Sequence, residues 1–309
     1  MLELVKVFIK IFIAVMAGLY LRKKRVIDER TQTSLSNILL TITLPFAIIA
    51  SSQYEYSSDT AQSMMAVGIG ATLYYVILLF VMTLSLKKSK LDDQINRVFV
   101  TSAMFGNTAF VGIPIMGYLY TPKAVLLAAV FNLASNLFFF SFGVHHISKG
   151  RHSLVDLFVN PLSLTSILSI LLFCLPVRMP GFALDSIYFI GDMSFPLSMM
   201  ILGSMLAVTD WRKLFTDVYS YIVVVLRMII FPILMIGAVM LVSKFIQIGT
   251  PTRLTLVLMS AMPCGTLNAI YSEKYNCAPK FCARTVVLSQ FLMLITLPII
   301  ILFGTKLFT

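Results

Sequence analysis

The 309 residues include 59% hydrophobic side chains and only 12% charged ones, against ~25% charged in an ordinary soluble domain. With a mean hydropathy of +0.93, the chain reads as an integral membrane protein. The net charge of +11 does not argue for nucleic acid, because topology and contact with anionic lipid account for a basic excess in the loops of a membrane protein.

Ten apolar segments are long enough to cross a hydrocarbon core of roughly 30 Å. In chain order they cover residues 4–21, 31–52, 61–86, 95–120, 123–147, 154–175, 182–207, 215–243, 253–274 and 282–304, numbered here as spans 1 to 10. The first has the position of a signal peptide, but its basic cluster RKKR (22–25) follows the apolar run, so it is read as a span. The loops are short, and the whole of 1–309 forms one membrane domain. Lys and Arg concentrate at 22–30, 87–97, 149–151, 212–213 and 274–284, all on one side of a ten-span arrangement. By the positive-inside rule that side is cytoplasmic, which places both termini outside the cytoplasm of a cell membrane.

Span 2 contains TLPFAIIA (43–50) and span 7 SFPLSMMI (194–201), so Pro45 and Pro196 lie 151 positions apart. Span 4 contains Pro114 in VGIPIMG and span 9 Pro263 in SAMPCGTLNA, 149 apart. A common offset divides the chain into residues 1–152 and 153–309. Five spans is an odd number, so the halves enter the membrane in opposite senses, as an inverted repeat. The expected fold is therefore all-α, with ten transmembrane helices in two inverted five-helix repeats and proline-broken spans 4 and 9 that cross.

Pro114 lacks an amide donor, and Gly112 and Gly117 relax the backbone beside it, so span 4 is expected to break there. Pro263, followed by Gly265 and Thr266, makes the same case for span 9. Such breaks expose amides at one half-helix end and carbonyls at the other, which membrane proteins tolerate only when buried or lining a hydrated cavity. The residues expected to line a midplane anion site are Asn107, Thr108, Gly112, Pro114, Pro263, Cys264, Thr266 and Asn268. Asn132 and Asn136, four apart on one face of span 5, join them. The deep ionisable residues Asp192 and Arg227 are read as an ion pair or as coupling groups. Glu273 is placed at the cytoplasmic interface, paired with Lys274 or Arg284.

No metal site is expected: the four cysteines form no CxxC pair, and His145 and His146 lack further ligands. The usual intramembrane enzyme motifs are absent, and no cofactor is expected.

GNTAFVGIPIMG (106–117), TLPFAII (43–49), NPLSL (160–164), FPLSMMILGSML (195–206) and MPCGTLNAIYSEKY (262–275) together resemble the auxin efflux carrier family, including its bacterial members. The resemblance implies a scaffold and a moving domain, an elevator-like motion of the crossed helices, and organic-anion substrates such as auxin-like or malonate-like carboxylates. The loop SKGRHS (148–153) is much shorter than that of the plant carriers, which argues against auxin as substrate. The partners are a small organic anion and the bilayer. A proton or sodium ion for coupling, and a homodimeric assembly, are left open. The alternatives are a cation-coupled or cation-carrying transporter of the same fold, or a membrane sensor that does not transport.

Overall fold

A computed structural model describes residues 2–54, 56–86, 91–150, 160–175, 178–207, 214 and 216–308. Part of the orientation argument rests on Lys87, Lys88, Lys90, Arg151, Arg212 and Lys213, which lie outside the described residues. Within them the chain is helical throughout, with one isolated β-bridge. The helices are α1 (Leu2–Lys23), α2 (Glu29–Ser51), α3 (Ser58–Leu86), α4 (Asp93–Met104), α5 (Thr108–Leu119), α6 (Pro122–Ser148) and α7 (Pro161–Cys174). They continue as α8 (Gly181–Gly191), α9 (Ser194–Ala207), α10 (Val218–Val242), α11 (Thr250–Ser260), α12 (Thr266–Lys274) and α13 (Pro279–Phe308).

Six runs among the described residues are long and apolar enough to cross a membrane: α2, α3, α6, α8 with α9, α10 and α13. Spans 4 and 9 are each two helices, α4 with α5 and α11 with α12, neither half long enough to cross alone.

Local sequence explains the helix starts. Asp28, Asp92, Asn160 and Asp217 each accept a hydrogen bond from first-turn amides of the helix that follows, as N-cap residues do. Prolines act differently from the expectation. Three π-turns, Leu39–Thr43, Thr108–Gly112 and Leu226–Ile230, run straight into α-helical segments whose second residue is Pro45, Pro114 or Pro232. A proline ring clashes with the carbonyl four residues back, and the wider π-turn makes room for it without ending the helix. Pro114 therefore does not break span 4. The break lies at Phe105–Asn107, ahead of the π-turn, whereas Pro263 does lie within the break of span 9.

The helices can be followed as two groups that meet where α6 packs against α2 and α7. In the first, α1 runs along α9, and α2 packs against both α7 and α8. The α1–α9 seam has almost no space between backbones: a Cβ on Gly18 would stand 1.9 Å from the Met200 carbonyl oxygen, and one on Gly203 would stand 1.9 Å from that of Val15. Small residues permit this approach in membrane helices. The second group surrounds α4, α5, α11 and α12 with α3, α6, α10 and α13. A cavity of about 550 Å³ lies between the groups, lined by Lys10, Ala47, Pro114, Tyr118, Asp192 and Phe195 among others.

Candidate functional site

The two breaks meet. Gly106 and Cys264 form an antiparallel bridge; the Asn107 amide donates to the Pro263 carbonyl at 2.7 Å, and the Gly265 amide donates to that of Phe105 at 2.9 Å. A two-bond ladder thus satisfies backbone groups that would be costly at membrane depth. Asn268 reinforces it, its Nδ2 donating to the carbonyls of Phe105 at 3.1 Å and Gly265 at 3.2 Å.

Four helix ends remain at the crossing, and they are sorted by polarity. The carbonyl end of α4, and the Met262 carbonyl two residues past the end of α11, face Arg227 on α10. Its Nε donates to the Met262 carbonyl at 2.9 Å, and its Nη1 donates to the Met104 carbonyl and the Tyr74 hydroxyl, both at 3.0 Å. The amide ends of α5 and α12 face the other way, into a cavity of about 60 Å³ lined by Phe105 to Phe110 and Gly265 to Asn268. First-turn amides such as those of Thr108 and Ala109, or Thr266 and Leu267, have no acceptor within their own helix and carry partial positive charge.

Side chains complete the wall. Asn107 caps α5 by accepting from the Phe110 amide at 3.3 Å. Thr108 Oγ1 donates to Asn132 Oδ1 at 2.8 Å, and Asn132 Nδ2 is a buried donor without a partner. Asn136 Nδ2 donates to Ser163 Oγ at 3.1 Å, while Tyr75 supports Ser135 from behind through a 2.8 Å bond. Thr266 Oγ1 and Asn268 Oδ1 are also buried without partners. Every residue lining this cavity is uncharged.

Six of the expected site residues line the cavity: Asn107, Thr108, Asn132, Asn136, Thr266 and Asn268. Four do not. Gly112 packs on α11, where a Cβ would meet the Met259 sulfur at 2.8 Å, and Pro114 lines the larger cavity. The Pro263 carbonyl is used in the ladder, and Cys264 is fully buried, its amide donating to Ser289 Oγ at 3.0 Å. Sequence reasoning missed Gly106, Ser135 and Asn160; the last sits in the quoted NPLSL stretch and signals itself as an N-cap before proline.

The expected pairing of Asp192 with Arg227 is not formed. Arg227 is wholly buried against backbone carbonyls, whereas Asp192 is exposed at the end of α8 and lines the larger cavity. Similar depth in two helices does not bring them together, because α8 and α10 belong to different groups. Arg284 pairs with Asp217 at 3.5 Å and not with Glu273.

Away from the crossing, Arg97 ties the start of α4 to the end of α6, contacting Asp93 at 3.2 Å and donating to the Ile147 carbonyl at 2.9 Å. The Lys149 ammonium, bonded to Asp93 at 2.9 Å, holds that carboxyl below the usual range, with help from Arg97.

Comparison with known proteins finds membrane transporters. An uncharacterized transporter of Methanocaldococcus jannaschii is 23% identical over 287 residues, covering 89% of this chain and 91% of that protein. A family model described as membrane transport protein matches twice, over residues 4–155 and again over 149–301. With both halves matched, the chain is a multi-pass membrane protein that belongs to this membrane transport family, the auxin efflux carriers.

Proposed function

We propose that this protein is a secondary transporter of small organic anions, malonate-like carboxylates in particular, bound where spans 4 and 9 cross. The observation that carries the reading is the sorting of helix ends: two amide ends and the unpartnered Asn132 Nδ2 converge on one uncharged, buried cavity. Helix amide ends favour an anion without a neighbouring cationic side chain.

In this reading the chain crosses the membrane ten times as two inverted five-helix repeats, with both termini outside the cytoplasm of the cell membrane. The double family match and the offset of about 150 residues between Pro45 and Pro196 support it. The group of α1, α2 and α7 to α9 is the scaffold, and the group that contains the crossing moves against it as an elevator. The cavity of about 550 Å³ between the groups leaves room for such sliding.

Purified protein in liposomes loaded with buffer, challenged with radiolabelled malonate under an imposed gradient, tests the proposal. Saturable uptake that unlabelled short dicarboxylates compete away is expected. Absence of flux for every carboxylate, in either direction of loading, would refute it.

A further inference from the structure

Arg227 stands apart from the cavity wall, yet it bears on the same crossing. It is 0% exposed, and a lone cation at that depth is costly unless fully engaged. Its partners among the described residues are two backbone carbonyls from opposite halves of the chain and one tyrosine hydroxyl; none is an acid. Its Nη2 is unpartnered and points at Gly106, where a Cβ would stand 1.8 Å from it. Gly106 also lines the cavity, so the guanidinium lies directly behind the cavity's backbone wall.

We propose that Arg227 is the resident counter-charge of the crossing: it neutralises both carbonyl ends, holds the two breaks in register, and leaves the amide side electropositive for an anion. It is a positioning residue, since it acts through the backbone of Met104, Gly106 and Met262. The proposal rests on the anion-site reading above and names what sets the sign of that site. A planar fork with several donors suits two divergent carbonyls, which a lysine ammonium reaches less well. It also follows that the carbonyl ends need no sodium ion, because a fixed cation occupies them.

The test compares wild type, Arg227→Ala and Gly106→Ala in detergent, reading melting temperature and malonate affinity in sodium or choline chloride, with and without millimolar guanidinium. Wild-type affinity is expected to be the same in sodium and choline. Arg227→Ala should lose malonate affinity tenfold or more and regain both affinity and melting temperature with guanidinium, which fills the vacated position. Gly106→Ala, which displaces the guanidinium without removing it, should lose affinity with no such rescue; it also serves if Arg227→Ala does not fold. Wild-type malonate affinity in a folded Arg227→Ala protein overturns the proposal, as does guanidinium raising its melting temperature no more than that of wild type. If wild type binds no carboxylate, the anion-site reading fails while the guanidinium rescue still decides the counter-charge role.

Discussion

Asn107 and Asn268 both line the cavity, yet replacing each with alanine should produce different damage. The Asn107 side chain makes one bond to its own helix, accepting from the Phe110 amide at 3.3 Å, while its amide and carbonyl serve the ladder and α5 whatever the side chain. Loss of a long N-cap bond costs about 1 kcal/mol or less. Asn268 Nδ2 instead binds two carbonyls, one of them 163 residues away. At about 0.6 to 1 kcal/mol per bond inside a membrane protein, its loss costs roughly 1 to 2 kcal/mol, and it loosens the crossing itself. If an anion takes a charge-assisted bond from Asn107, Asn107→Ala forfeits about 1.5 to 3 kcal/mol of binding, roughly 10- to 150-fold in Kd. Malonate titrations beside thermal unfolding in detergent separate the two effects. The expected pattern is Asn107→Ala near wild type in stability but weak in binding, and Asn268→Ala impaired in both. An Asn107→Ala protein that binds malonate normally, or is the less stable of the two, would refute the reasoning.

Other substitutions probe different parts of the chain. Gly18→Val drives a side chain into the Met200 carbonyl across the α1–α9 seam and should cost about 3 kcal/mol, read as loss of folded protein in detergent unfolding, whereas substitution at Gly237, which nothing approaches within 4 Å, should be tolerated. Pro114→Ala should change malonate affinity less than twofold, because helix α5 already runs through that position; a large loss would restore Pro114 as the break. Asp93 titrates below its unfolded value because of Lys149 and Arg97, so its contribution is present above the unfolded carboxylate pKa of ~3.9 and disappears as pH falls through the lower folded value. Asp93→Asn should therefore flatten the acid limb of the melting temperature below about pH 4; since that carboxylate is 65% exposed, the effect is small and screened by salt.

The membrane class and most of the apolar runs could be read from the sequence, because hydrophobic length is a property of contiguous residues. The position of the first break was misread for a physical reason. Pro114 is the strongest local breaker in span 4, but a π-turn at Thr108–Gly112 absorbs it, and no composition rule marks that turn. The actual break uses Gly106, whose role depends on Arg227 lying 121 positions away in the chain. The same limit explains the false pairing of Asp192 with Arg227: depth is legible in one dimension, while lateral neighbours are set by which helices pack. Asn107, Thr108 and Asn268 were recoverable because helix ends recruit nearby polar residues, and Asn132 followed from helical periodicity.

The polarity of the crossing also constrains which ligand could bind there. Two broken helices supply equal numbers of amide and carbonyl ends, so the backbone alone favours neither anion nor cation. A residue committed to one pair of ends breaks the tie. Arg227 is committed to the carbonyl side by two hydrogen bonds, to Met262 at 2.9 Å and Met104 at 3.0 Å, and a third to the Tyr74 hydroxyl holds it there. An acid at that position would face two carbonyl dipoles, like against like, and would instead leave the carbonyl side open to a cation. The amide side, walled by asparagine and threonine without a charged residue, then keeps first-turn amides with no acceptor in their own helix. On the proposed reading an anion is the ligand that compensates them, and a neutral wall would let it leave again, as a transport cycle requires.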